Sequence, residues 1–274
     1  MQLYSSFAVV GAGTIGLPIL DALASQNVSI LLLSRPDSPP KTVPSNVEVV
    51  PVNYDDTEAV AAVLKSHNVE VVLSTVGIPG LASQTTLVDA AKLAGVQLFS
   101  PSEYATPTDA QPPGSDNPAG GTGTKNKVAE YMNIVGLPSL RIFTGAFTEG
   151  IPSLFGEAPV SFTSIPDIAG FVAYILTRLP PSQLSNRIMR LQGERIPLNT
   201  LGTLFHTTVK HVDRIDGDGG ELKTSLLKLL DSGAGSTGWD AANKREKTGD
   251  DAAGSGNKLW PGHDWRSIKE VLKL

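Results

Sequence analysis

The chain has 274 residues, 41% of them hydrophobic and 18% charged, with a formal net charge of −5. That length and composition suit a packed globular protein and argue against disorder, and the negative charge, with no long basic run, argues against nucleic acid as the main partner. The absence of cysteine removes disulfides, a thiolate nucleophile and cysteine-held zinc or iron–sulfur sites.

The four histidines, His67, His206, His211 and His263, show no His-x3-His pairing, so no metal site is expected. Apolar runs such as 7–10 and 30–33 fall far short of the roughly 20 residues a membrane helix needs. No charged region followed by an apolar stretch marks a signal peptide. A protein of the cytoplasm, without nucleic-acid or membrane partners, is the expectation.

From the N-terminus, short runs that are apolar at nearly every position recur at 7–10, 28–33, 47–52, 69–76, 96–100 and 137–143. They have the pattern of strands buried on both faces. Segments with apolar residues three or four apart lie between them, at 15–25, 57–66, 83–93 and 125–135, as in Leu87, Ala90, Ala91 and Ala94. Asp55, Asp56 and Glu58 give one helix an acidic first turn, and Gly95 and Gly136 stand where helix C-caps belong. The alternation predicts a parallel sheet with right-handed crossovers.

Residues 105–124, rich in Pro, Gly, Asp and Thr, interrupt the rhythm and read either as a lid or binding loop or as a plain surface excursion. Beyond 147 the spacing predicts helices at 165–179, 198–208 and 221–230. A glycine- and charge-rich mobile loop at 232–257 and a short amphipathic helix at 260–274 follow.

The opening βα unit carries the most specific signal. Residues 7–24 read FAVVGAGTIGLPILDALA, so Gly11-x-Gly13-x-x-Gly16 follows an apolar strand and opens a helix. That is the context in which this spacing binds a dinucleotide. Gly11 permits the tight turn, Gly13 lets a pyrophosphate approach the backbone, and Gly16 lets the helix pack on the strand. The free N–H groups around Thr14 and Ile15 face the phosphates. A purely structural glycine turn is the alternative.

The second strand ends at Ser34–Arg35, without the acid that binds a ribose 2′-hydroxyl. Arg35 is placed to pair a 2′-phosphate, with Lys41 adding charge, which favours NADP(H). Arg35 stacked on adenine, or simply solvated, is the competing reading. The expected fold class is a Rossmann-type doubly wound α/β sheet at 1–147. A smaller C-terminal substrate lobe is expected at 148–274, with part of 162–180 packing back on the first domain.

The sequence resembles the NmrA-like or isoflavone-reductase-like members of the atypical short-chain dehydrogenase/reductases. The matching segments are VVGAGTIG at 9–16, LSR at 33–35, VVLSTVG at 71–77, LVDAAKLAGVQLFSPSEY at 87–104, KNKVAEYMNIVGLPSLRIFTGAF at 125–147 and FTSIPDIAGFVAYIL at 162–176. The resemblance implies that Thr75, Val76 and Gly77 lie beside the cofactor's ribose and pyrophosphate. It implies that Gln84 starts a helix near the nicotinamide, and that Ser102 and Glu103 end the fifth strand at the same edge. It puts Lys125 at the lysine that family reductases use in the active site, and Phe147 beside the nicotinamide and substrate. Two departures stand out: Val10 where the family commonly has another glycine, and Ala105 replacing the glycine of the family's SEFG-like element.

None of the five tyrosines has a lysine four residues later, so the usual Tyr-x-x-x-Lys pair is absent. Lys125 is then the best acid/base candidate, because a helix N-terminus and partial burial both ease loss of its proton. Lys127 competes with it. Tyr104 is expected to line the site, with Gln84, Glu103 and Phe147 on the substrate side. Asp167 reads as a helix cap, His206 and His211 as surface residues, and Trp239, Trp260 and Trp265 as core or lid packing.

Together these residues predict an NADPH-dependent reductase of a small aromatic or unsaturated substrate. The alternative is a non-catalytic NAD(P)-binding redox sensor that acts through a protein partner.

Overall fold

The computed structural model describes residues 2–109, 121–150, 158–208 and 212–274. Of the sequence expectations, His211 and the 110–120 part of the Pro/Gly-rich segment lie outside the described residues.

Five strands form one parallel sheet: β1 (Ser6–Val10), β2 (Ser29–Ser34), β3 (Val47–Pro51), β4 (Val71–Ser74) and β5 (Leu98–Ser100). Their order is β3-β2-β1-β4-β5, which makes β1 the central strand. Phe7 to Val10 of β1 are fully buried, which explains why that strand is apolar at every one of those positions. Edge strand β3 is instead mostly exposed, with Val47 buried but Glu48 and Val49 open to solvent. Helices α1 (Gly16–Ala24), α2 (Thr57–Ser66) and α3 (Gln84–Ala94) make the crossovers β1→β2, β3→β4 and β4→β5.

Local chemistry sets the helix ends. The Asp56 carboxylate caps α2 by accepting from the Ala59 N–H at 3.0 Å. Gly95, at φ +78°, ends α3 in the left-handed conformation that favours glycine. No helix joins β2 to β3, and residues 35–46 make that crossing.

The chain folds as two compact units. The first comprises Met1–Ser102, Thr124–Arg141 and Ala169–Ile188; the second comprises Glu103–Gly123, Ile142–Ile168 and Met189–Leu274. In the first unit, Val10, Leu31, Leu33, Val72, Val88 and Phe99 belong to one apolar core that also takes in Val128 and Met132 of α4 (Thr122–Val135). Each such side chain contributes about 1.5–3 kcal/mol when fully buried. The Phe99 N–H donates to the Pro138 carbonyl at 2.9 Å, carrying the ladder beyond β5 toward β6 (Leu140–Phe143).

In the second unit, β7 (Ala146–Phe147) lies parallel to β8 (Pro159–Thr163). β10 (Glu194–Pro197) lies antiparallel on the other side of β8. β9 (Arg187–Arg190) pairs with β6. Val160 and Phe162 pack with Leu198 and Leu201 of α6 (Leu198–Leu204), Leu230 and Ile268. Gly145 is held so close to β8 that a β-carbon would meet the Ser161 carbonyl oxygen, and its φ is +66°.

The tail differs from the sequence expectation. After α7 (Gly220–Leu229), residues 232–257 are not a plain loop. They hold a wide helical turn at Leu230–Ala234, the β11 (Trp239–Asp240) and β12 (Arg245–Glu246) hairpin, and two 3-10 turns. Ser236 and Thr237 are fully buried, and the Trp239 ring lies against Gly233. The terminal helix shrinks to α8 (Ile268–Leu272), started by a capping box between Ser267 and Glu270.

Asp167 is not the cap of α5 (Ile165–Arg178). The Ser164 hydroxyl accepts from the Asp167 N–H at 3.2 Å, while the Asp167 carboxylate accepts from the Arg266 N–H at 3.0 Å and lies 3.1 Å from His263 Nε2. His263 in turn stacks on Trp260, with ring centroids 3.6 Å apart, and meets Trp265 edge-on. His206 is exposed just past α6.

The second unit also buries a charge. Arg190 is 1% exposed, and its guanidinium donates to Asp109 at 2.5 Å and to the Thr237 carbonyl at 2.8 Å. It sits 5.5 Å above the Phe143 ring centroid. Lys247 reaches the same Asp109 carboxylate at 2.6 Å. Burial by itself would raise the Asp109 pKa, but the hydrogen bonds and charges of Arg190 and Lys247 outweigh it and hold the carboxyl below the usual range.

A depressed folded pKa means stabilisation that is present above the ordinary value of about 3.9 and is lost as pH falls through the lower folded value. Asp109→Asn keeps the shape but removes the carboxylate that Arg190 and Lys247 share, leaving Arg190 only the more distant Asp251 at 3.5 Å, so denaturant unfolding at neutral pH is expected to show a loss of about 3–5 kcal/mol. The wild-type advantage over the variant should shrink as the pH drops below about 4. A loss under about 1 kcal/mol at neutral pH would show that the pair is not needed.

Candidate functional site

The first unit carries a cavity of about 690 Å³ at the C-terminal ends of β1, β2 and β4. Open α/β sheets bind ligands in this position, where the strand order reverses, and the volume lies in the range of ligand pockets. The turn after β1 contributes Gly11, Ala12 and Gly13 to the lining; the end of β4 contributes Thr75, Val76 and Gly77. The end of β2 contributes Ser34 and Arg35, and the helix-free crossing contributes Ser38 and Lys41.

The glycine turn is locked from three sides. Gly11 has φ +93°, a left-handed value that favours glycine, and its N–H donates to the Leu33 carbonyl of β2 at 3.0 Å. The Thr75 hydroxyl lies 3.0 Å from the Val10 carbonyl and 2.9 Å from that of Gly11, its single proton serving both. A β-carbon on Gly16 would lie 2.4 Å from the Gly11 carbonyl oxygen and 2.5 Å from Thr75 Oγ1, so α1 packs against the turn only because residue 16 has none. At Gly13 a β-carbon would meet nothing within 4 Å. Gly16 is thus demanded by the fold, whereas Gly13 faces open space beside the cavity. Thr14 is exposed and the Ile15 side chain is buried, and neither lines the cavity.

The other end of the cavity carries Arg35 and Lys41, with Asp55 also in its lining. Arg35 is 60% exposed, and its nearest carboxylate is Asp37 at 4.0 Å. Val49, Pro51, Asn53 and Tyr54 add a wall that sequence reasoning did not find. The parallel β2–β3 pairing brings the residues after β3 beside those after β2, a placement that needs the strand order. Tyr54 donates to the Leu33 carbonyl at 2.8 Å, and burial pushes its phenol up to about 12 against a smaller downward pull from Arg35.

Four more expected residues sit in the first unit but do not line this cavity. Ser102 donates its hydroxyl to the Val76 carbonyl at 2.8 Å, and its N–H bonds Gln84 Oε1 at 2.8 Å. Gln84 is fully buried at the start of α3 and holds the end of β5 in place. Lys125 is 9% exposed, whereas Lys127 is exposed, so burial separates two lysines that the sequence left in competition. Helix α4 begins three residues before the expected start, which makes Lys125 its fourth residue and not its first.

Glu103, Tyr104 and Phe147 belong to the second unit. The Glu103 carboxylate is 1% exposed and accepts from the Thr108 hydroxyl at 3.2 Å. Tyr104, buried, carries a positive φ of 23°. This is a conformation that costs a residue with a β-carbon about 1–3 kcal/mol and that clusters at functional sites. The carbonyl of the next residue, Ala105, accepts from the N–H groups of Thr144 and Gly145, which hold the chain at the position where the family's element has glycine. Phe147 is half-buried on β7 opposite Thr163. Among the described residues, no cluster of three or more His, Asp or Glu is arranged to hold a metal ion, and no helix is long and apolar enough to cross a membrane.

The sequence profile of the NmrA-like family matches residues 5–228. A relative named Oxidoreductase BOA1, from Botryotinia fuckeliana (strain B05.10), is 36% identical over 101 residues. The match covers 35% of this chain and 34% of that protein, so it spans about a third of the relative's length. A solved structure described as AtPrR2 with NADP+ and (+)pinoresinol is similar over 100% of this chain and 99% of its own, at 17% identity and a TM-score of 0.73. The binary complex of leucoanthocyanidin reductase with NADPH from Vitis vinifera matches over 98% of each chain, at 18% identity and a TM-score of 0.75. At these identities the two structures share the fold with this chain.

The two glycines give opposite expectations. Gly13→Ala should unfold at a temperature within about 2–4 °C of the wild type, the shift that roughly 1 kcal/mol produces in a larger domain, yet lose dinucleotide affinity. Gly16→Ala should be strongly destabilised by the clash with Gly11 and Thr75. Thermal melts paired with cofactor titration separate the two, and a stable Gly16→Ala protein would refute the packing argument.

Proposed function

Because the chain belongs to the NmrA-like family, we propose that it is an NADP(H)-dependent reductase of a small aromatic or unsaturated organic molecule. The observation that carries this reading is the cavity itself. It has an open glycine turn at one end, Arg35 and Lys41 at the other, and no carboxylate at the end of β2. The backbone N–H groups after Gly11 suit a pyrophosphate, and the room beside Gly13 is the space that its approach needs. Arg35 and Lys41 suit a 2′-phosphate, which an NAD-type acid would repel.

Matched proteins support the same direction: two were solved with NADP+ or NADPH, one of them also with (+)pinoresinol, and the sequence relative is named an oxidoreductase.

When bound, NADPH supplies the hydride; the protein binds it, orients it and excludes water. In this reading Thr75, Val76 and Gly77 line the ribose and pyrophosphate. Ser102, tied to Val76 and Gln84, keeps the β5 end in register with them. Lys125, sheltered from solvent on α4, donates or relays the proton that accompanies hydride transfer. Glu103, Tyr104 and Phe147 are assigned to the substrate. A redox sensor that binds NAD(P) without turnover, and acts through a protein partner, is favoured by one observation, the missing Tyr-x-x-x-Lys pair.

NADPH oxidation across a panel of phenolic and enone compounds tests the reading. Turnover with at least one is expected, and complete inactivity alongside tight NADPH binding supports the sensor instead. Lys125→Ala should lower kcat by roughly 10²–10⁴-fold, the usual contribution of a positioned acid or base, while NADPH affinity stays nearly unchanged. Arg35→Ala should weaken NADPH by roughly 10–100-fold, as expected for loss of charge-assisted bonds to a phosphate, and leave NADH affinity almost unaltered.

A further inference from the structure

The crossing between β2 and β3 reads Arg35-Pro36-Asp37-Ser38-Pro39-Pro40-Lys41. The Ser38 N–H donates to the Arg35 carbonyl at 3.0 Å, closing a tight turn that keeps the two residues within about 7 Å of each other. Arg35, Ser38 and Lys41 all line the cavity. Ser38 is half-buried there, and its hydroxyl makes no hydrogen bond among the described residues. Residues 39–42, which follow it, are exposed and without regular secondary structure. A serine followed directly by proline, and then by exposed chain without regular secondary structure, is the form that a proline-directed serine kinase accepts, since proline fixes the backbone and offers no N–H.

We propose that Ser38 is a phosphorylation site whose phosphoryl group takes up the Arg35 and Lys41 charges and so releases NADP(H) from the cavity. The donor is ATP, brought by a proline-directed serine kinase. Ser38 Oγ forms a bond to the γ-phosphorus, the bond from that phosphorus to the β–γ bridging oxygen breaks, ADP leaves, and the hydroxyl proton passes to the kinase's base.

The product carries about −1.5 to −2 charges and three acceptor oxygens. Three residues from Arg35 across a closed turn, it competes for the guanidinium at the effective concentration of a tethered group, of millimolar order. Free NADP(H) has to displace it. NADH, which has no 2′-phosphate, loses far less. The phosphoryl group would therefore discriminate between the two cofactors at a single serine, with no movement of the sheet. The inference rests on reading Arg35 as the ligand of the 2′-phosphate.

The test uses the full chain. The protein, Ser38→Ala and Arg35→Ala are each treated with a proline-directed serine kinase and ATP. The modified residue is mapped by mass spectrometry, and NADPH and NADH are titrated before and after treatment. Phosphate on Ser38, a roughly 10–100-fold loss of NADPH affinity, a much smaller change for NADH and no change in Ser38→Ala on treatment support the proposal. Ser38→Glu should move NADPH affinity in the same direction.

Absence of phosphate on Ser38 overturns it, as does unchanged NADPH affinity of the phosphorylated protein when Arg35→Ala does weaken NADPH. If Arg35→Ala leaves NADPH affinity untouched, the 2′-phosphate reading fails first and takes this proposal with it.

Discussion

Position 16 has no room for a β-carbon, and that single exclusion ties the site together. The first turn of α1 rests directly on the Gly11 carbonyl and the Thr75 hydroxyl. Thr75 sits just past β4, and Gly11 is bonded to Leu33 of β2, so the ends of three strands meet at one short turn. With Gly11 in the left-handed region, the chain turns sharply into the next backbone groups, Ala12 and Gly13, which line the cavity. The cavity beside them follows from the strand order β3-β2-β1-β4-β5, because the β1/β4 neighbourhood is where the crossovers change direction.

The second constraint is the helix-free crossing from β2 to β3. A helix there would cover the sheet face and carry its residues away from the strand ends. Residues 35–46 instead stay near the cavity rim, where three of the five prolines between 35 and 51 restrict the backbone beside Arg35 and Lys41. Electrostatically this rim is mixed: two cations line the cavity, Asp55 lines it too, and Asp37 lies near Arg35. A site of this kind is poised for competition among anions for a limited number of cations.

The second unit solves a different problem. It has a smaller apolar core and buries a full positive charge in Arg190. Such a charge persists only when opposite charge and hydrogen bonds compensate its desolvation. Asp109, Asp251, the Thr237 carbonyl and the Phe143 ring do so, drawing together four separate stretches of sequence. Asp167 does the same for the C-terminal segment, joining His263 and Arg266 to the start of α5.

The sequence by itself determined the parallel sheet, because strands buried on both faces have to be apolar at nearly every position. It also determined the glycine turn, because only that residue type fits a left-handed turn and a helix packed at contact distance. These are local requirements, legible residue by residue. Tertiary structure alone decided the rest. Lys125 and Lys127 are indistinguishable as letters, and burial separated them. The bond between the Gln84 side chain and the Ser102 N–H spans 18 residues of sequence and is set by the fold. Tyr54 and Ser38 joined the cavity because β3 pairs beside β2 and the intervening chain folds back, which no periodicity reports. The 232–257 tail looked like a loop because glycine and charge dominate it, yet long-range bonds and the Trp239 ring pack it. Local sequence pattern encodes what each backbone segment can become, while non-local burial and pairing choose which side chains meet.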